Sequence, residues 1–141
     1  MTTTGVELVE HEGDAYALIV RQNATSTDKY NFLTEQAAPL QLGMNFYPRG
    51  ETIKAHYHLT RHIETNSVVQ EFLLIGAGRA TLTLYDKAAQ RAFTTKQLEA
   101  GDMVLLLAGG HSLEIQEDTK IIELKQGPYD GKAKDKVVFG S

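Results

Sequence analysis

The sequence predicts an all-β protein, a sandwich or barrel of nine or ten short strands. Three observations carry this prediction. Apolar residues alternate with polar ones or run in short blocks, the pattern of half-buried and fully buried strands. Turn signals built on 12 glycines and 3 prolines recur at close spacing. The sole helical pattern is a short one, Tyr30 to Ala37.

Taken in order, Ala15–Arg21 reads as a strand. Leu40, Leu42, Met44 and Phe46 alternate with Gln41, Gly43, Asn45 and Tyr47, a period-two strand with one buried face. Pro48-Arg49-Gly50 ends it as a turn, and Thr52–His58 forms the next strand. Val68–Ile75 is apolar on both faces apart from Gln70 and Glu71, which predicts cover on both sides. Gly76-Ala77-Gly78 turns the chain into Arg79–Tyr85, where Ala80, Leu82 and Leu84 alternate with threonines. Asp86–Gln90 is a hairpin tip, and Phe93–Leu98 returns from it. Met103–Leu107, His111–Gln116 and Lys120–Gln126 are strands separated by Ala108-Gly109-Gly110 and Glu117-Asp118. Lys132–Lys136 is a charged tail segment before the apolar block Val137-Val138-Phe139. Periodicity leaves a jelly roll, an immunoglobulin-like sandwich and a lipocalin-like barrel equally open.

Composition narrows the function classes. At 141 residues the chain supports one ordinary core, not two. Its 42% apolar and 23% charged content excludes bulk disorder. Fourteen basic residues against eighteen acidic ones give a net charge of −4, and the bases are scattered, so no nucleic-acid partner is expected. The longest apolar run, Met103–Ala108, is too short to span a bilayer. The first residues lack a basic stretch followed by an apolar one, so the expectation is a cytoplasmic protein without a membrane partner. The chain has no cysteine, so any metal has nitrogen and oxygen ligands.

Attention therefore falls on five histidines. His56-Tyr57-His58 places two imidazoles at i and i+2, on one face of a strand and close enough to share an ion. Glu71 shares its strand face with Val69, Leu73 and Ile75, where a carboxylate is costly unless a charge or metal pairs with it. His111 shares its face with Leu113 and Ile115. Each has a bland alternative: a surface histidine pair, a salt-bridged acid, a satisfied core histidine.

These residues fall in a pattern that resembles the cupin superfamily. Its first motif is G-x5-H-x-H-x(3,4)-E-x6-G. Here Gly50 is followed by five residues and His56-Tyr57-His58, and Glu71 by six residues and Gly78. The second motif is G-x5-P-x-G-x2-H-x3-N. Here Gly101, Gly109 and His111 stand in similar order, with Leu107 in place of proline and Ile115 in place of asparagine. Twelve residues separate His58 from Glu71, longer than the family spacing, so His62 and Glu64 compete with Glu71 as ligands. Glu71 is preferred because its spacing to Gly78 fits. The resemblance implies a single cupin domain over residues 1–141, a double-stranded β-helix or jelly-roll barrel. The motif-bearing barrel spans about 40–126, N-terminal strands about 14–39 and a tail about 127–141. It implies one divalent transition metal (zinc, iron, manganese or nickel) held by His56, His58, Glu71 and His111. Leu42, Met44, Phe46, Leu73 and Leu113 are expected to line the pocket around it.

The expected function is a metal-dependent enzyme acting on a small oxygenated metabolite, by isomerase, lyase or oxygenase chemistry. Two alternatives stay open. One is a metal-independent nucleotide-sugar isomerase or epimerase, with Arg49, Arg61 and Arg79 meeting phosphates. The other is a non-catalytic small-ligand module. The segment Ile122–Tyr129 also resembles the close of small cupins, where Lys125 and Tyr129 are either structural or ligand-binding. Ile53, Ala55 and Tyr57 lie opposite the histidines and need a cover, either the N-terminal strands or a second subunit. Many cupins dimerise through sheet contacts, so the resemblance implies a homodimer.

Overall fold

A computed structural model describes residues 3–62, 68–88, 90–127 and 131–139. Its strands are β1 (Thr3–His11), β2 (Asp14–Ser26), β3 (Tyr30–Phe32), β4 (Gly43–Asn45), β5 (Glu71–Ala77), β6 (Arg79–Tyr85), β7 (Ala92–Glu99), β8 (Met103–Leu106), β9 (Gly110–Ile115) and β10 (Lys120–Lys125), followed by one helical turn, α1 (Lys132–Asp135). Strands account for 52% and helix for 3% of the described residues, so the fold is nearly all β, as the periodicity predicts. Among the described residues the strands form three antiparallel sheets, ordered β1-β2-β8-β5-β10, β7-β6-β9 and β3-β4, and none closes into a barrel.

The five- and three-stranded sheets share one core. Ile19, Leu73, Ile75, Val104 and Leu106 from the first meet Leu82, Leu84 and Leu98 from the second. Strand β6 shows the cause: Ala80, Leu82 and Leu84 are fully buried while the intervening threonines are half-buried. Burying each such leucine contributes about 1.5–3 kcal/mol before entropy is counted. The cover expected on both sides of β5 is complete on one: Leu73 and Ile75 are buried, whereas Phe72 and Leu74 on the opposite face are half-buried. There, register aligns Leu8, Leu18, Leu105, Phe72 and Leu124 in one row across five strands. Val6, Val20, Met103, Leu74 and Ile122 form a second row.

Turn chemistry fixes the connections. Gly78 (φ 86°) lies against the backbone of Asp118 and Thr119, where no side chain fits. Asp102 pins the corner before β8. Its buried carboxylate accepts hydrogen bonds from Gln22 N (3.0 Å), Glu99 N (2.8 Å) and Arg21 Nη1 (3.1 Å), tying together β2, β7 and β8.

Several local expectations are corrected. Tyr30–Ala37 is not helical: Tyr30–Phe32 pairs with Gly43–Asn45, and Asn31 donates its amide to Asp28 O and Met44 O. That pairing also shortens the strand expected from Leu40 to Phe46. Thr52–His58 forms no strand, because no neighbouring strand offers it a ladder, and its side chains are exposed. Strand β1, unforeseen, starts the fold well before residue 14. No helix among the described residues is long and apolar enough to cross a membrane.

Candidate functional site

Glu71 begins β5 and His111 lies at the start of β9, in different sheets. The two sheets meet at this end of the sandwich. His111 Nε2 stands 3.2 Å from Glu71 Oε2, with side-chain exposures of 35% and 19%. The hydrogen bond to His111 holds the Glu71 carboxyl below its ordinary value of 4.5, against the opposing effect of its partial burial. Glu71 lies opposite Leu106 of β8 and Lys125 of β10, and His111 lies opposite Leu84 of β6.

The pair lines a cleft of about 690 Å³. Tyr85, Ser112, Leu106 and Lys125 line it too, with Tyr85 Oη 3.0 Å from Ser112 Oγ. The C-terminal segment forms one wall through Asp135, Lys136, Val137, Val138 and Phe139. Two contacts hold it. Lys125 Nζ bonds Asp135 Oδ2 at 3.0 Å, and the Phe139 ring packs edge-on against Tyr85 with centroids 5.2 Å apart. Gly110 makes room for that ring, since a Cβ there would lie 2.6 Å from Phe139 Cζ.

The four predicted ligands thus fall into two pairs. Glu71 and His111 are together; His56 and His58 are together elsewhere, on the exposed stretch after β4, and do not line the cleft. Their rings are 5.5 Å apart. His56 Nδ1 donates to Lys54 O at 2.8 Å, which leaves Nε2 as the lone-pair nitrogen. His62 is exposed, and Glu64 lies outside the described residues.

The residues expected to line the pocket lie away from this cleft. Leu42, Met44, Phe46, Leu73 and Leu113 do not line this cleft. Leu73 is core, Leu113 packs against the core, and the other three belong to the β3–β4 region. Apolar side chains at strand centres serve the sandwich interior, whereas the cleft sits at its end. Lys125 does line the cleft, paired with Asp135 and with Glu123 at 3.5 Å. Tyr129 lies outside the described residues.

Sequence reasoning missed Tyr85, Ser112 and Phe139 as cleft residues. It also left His11 without a role. His11 Nε2 stands 3.3 Å from Asp86 Oδ2, and its ring stacks on Phe93 at 4.1 Å. With Glu12, these form the one group of three histidine or carboxylate donors within 4.8 Å of each other among the described residues. Asp86 was visible only as a hairpin-tip residue, and nothing local marks its meeting with His11. No family model, curated protein or solved structure matches the chain.

Proposed function

We propose that the chain is a metal-binding cupin of the jelly-roll type, acting as a metal-dependent enzyme on a small oxygenated metabolite. One divalent transition metal would be held by Glu71 and His111 with His56 and His58. The observation that carries this reading is the Glu71–His111 pair at the mouth of a cleft. Two ligands held about 2.1 Å from one ion have their donor atoms roughly 3.0–3.4 Å apart. The observed 3.2 Å separation falls in that range.

His56 is also prepared for such a role. A metal-ligating imidazole usually donates its second N–H to a backbone carbonyl, which fixes the tautomer and ring orientation. The bond from His56 Nδ1 to Lys54 O has that form.

The remaining ligands arrive if residues 51–62 lie along β9, whose second edge carries no strand among the described residues. Facing residues on adjacent strands have Cβ atoms about 4.5–5.5 Å apart, so His56 and His58 would then stand beside His111. That added strand would extend the three-stranded sheet toward a jelly roll.

A bound metal would supply Lewis acidity, polarising a substrate carbonyl or acidifying a bound water. The chain's own groups would position the substrate. Lys125 offers an ammonium toward an anionic or carbonyl oxygen. Tyr85 and Ser112 offer hydroxyls that can donate or accept. Val137, Val138 and Phe139 give one side of the cleft an apolar lining.

The test is metal titration of chelator-treated protein with zinc, manganese, nickel and ferrous iron. Alanine at His56, His58, Glu71 or His111 should each weaken binding at least about tenfold. Unchanged binding in the His56→Ala and Glu71→Ala proteins would refute the assignment.

A further inference from the structure

We propose that the cleft takes a small carboxylic acid, whose carboxylate binds Lys125 in the place that Asp135 of the chain's own C-terminal segment now fills. This names a substrate class for the functional reading above, and it rests on that reading for the cleft being the substrate site.

The sheets build the seat. Lys125 ends β10 directly opposite Glu71 in register, and Glu71 reaches His111 of the other sheet at 3.2 Å. Facing strand residues have Cβ atoms about 4.5–5.5 Å apart, so an anion on Lys125 stands next to the Glu71–His111 pair. The cleft of about 690 Å³ has room for a small molecule. Tyr85 and Ser112, with hydroxyl oxygens 3.0 Å apart, line the same space.

The present occupant of the seat is a carboxylate. Lys125 Nζ donates to Asp135 Oδ2 at 3.0 Å, with side-chain exposures of 24% and 16%. Glu123 also stands 3.5 Å from this ammonium, but it does not line the cleft. Asp135 therefore offers Lys125, from within the cleft, the same group that an organic acid would offer.

Asp135 belongs to a segment that can leave with the sheets intact. Among the described residues, α1 buries no side chain, residues 131–139 pair with no strand, and the backbone hydrogen bonds of residues 131–136 stay among themselves. Val137 and Val138 line the cleft, yet they are 80% and 70% exposed. Side chains fasten the segment, Asp135 on Lys125 and Phe139 on Tyr85. An ion pair that solvent reaches is weak, so a free acid competes with Asp135 for Lys125. Acid binding and release of the segment are then one equilibrium. The apparent affinity for the acid is reduced by the fraction of chains in which Asp135 holds the seat.

The experiment uses full-length wild type, Asp135→Asn and Lys125→Met, each chelator-treated and again with zinc added. Each is titrated calorimetrically with acetate, malonate and succinate, and with the corresponding neutral amides, up to about 10 mM at constant ionic strength. Fluorine NMR of protein labelled with 4-fluorophenylalanine follows Phe139, its signal assigned with Phe139→Leu. At least one acid should bind wild type while its amide does not, and should move the Phe139 signal. Asp135→Asn should bind that acid at least about threefold tighter, because the internal competitor is gone. Lys125→Met should not bind it. Asp135 lies outside the sheets, so Asp135→Asn remains informative if Lys125→Met fails to fold. Binding of no acid in either metal state would overturn the proposal, as would equal affinity in Asp135→Asn and wild type. Zinc uptake without acid binding overturns this proposal alone. Acid binding without zinc uptake supports the carboxylate seat and overturns the metal reading.

Discussion

Asp102→Ala should destabilise the chain by about 2–4 kcal/mol. The Asp102 residue is 6% exposed and its carboxylate accepts three hydrogen bonds, two from Arg21 and Gln22 of β2 and one from Glu99 of β7. Alanine leaves the backbone N–H groups of Gln22 and Glu99 without that acceptor, at about 1–3 kcal/mol each where water cannot reach them. Both sit in partly exposed surroundings, so the lower half of that range applies. The Arg21 bond adds less, because its guanidinium is 30% exposed and solvent screens it. For a chain of this length, about 3 kcal/mol lowers Tm by roughly 10 °C. The assay is urea unfolding followed by far-UV circular dichroism, with Asp118→Ala on the exposed β9–β10 turn as control. The control should fall within about 0.5 kcal/mol of wild type. A loss below about 1 kcal/mol for Asp102→Ala would refute the view that this carboxylate pins the corner.

Two further perturbations bear on the cleft. Gly109→Ala puts a Cβ at φ 72°, against the Tyr16 ring and 2.6 Å from Tyr85 O, and should cost about 2–4 kcal/mol in urea unfolding. A loss near zero would mean that this turn is not fixed as described. In metal-free protein, Glu71 has a lowered carboxyl value in the folded state, so its contribution is present above its ordinary 4.5 and is lost as pH falls through the lower folded value. Wild type should therefore exceed Glu71→Gln in stability near neutral pH, with the gap closing in acid; a gap that widens in acid would contradict the pairing with His111.

The sequence made the body of the fold legible because local pattern and tertiary role agree there. Strand β6 spans Arg79–Tyr85 as its alternation with threonine predicts, and the glycines at 78 and 109 take positive φ where breaks between strands were read. Failure set in where pairing, not pattern, decides. Thr52–His58 has strand chemistry but no strand beside it, and Tyr30–Phe32 is claimed by Gly43–Asn45 before any helix can form. Of the site, Glu71 and His111 were legible as polar residues placed on apolar faces. The cleft was not, because its lining comes from strand ends and from the tail, and period-two arguments speak only to strand centres. Phe139 could have been suspected from the apolar block after Lys136, but its partner Gly110 is marked only by the absence of a side chain.

The central claim, one metal shared by residues on both halves of the motif, is tested most directly by elemental analysis of purified protein beside His56→Ala and Glu71→Ala. One metal ion per chain in wild type, lost in both variants, is the predicted result. Wild type that carries no metal and takes up none of the four offered would contradict it, as would full occupancy in His56→Ala.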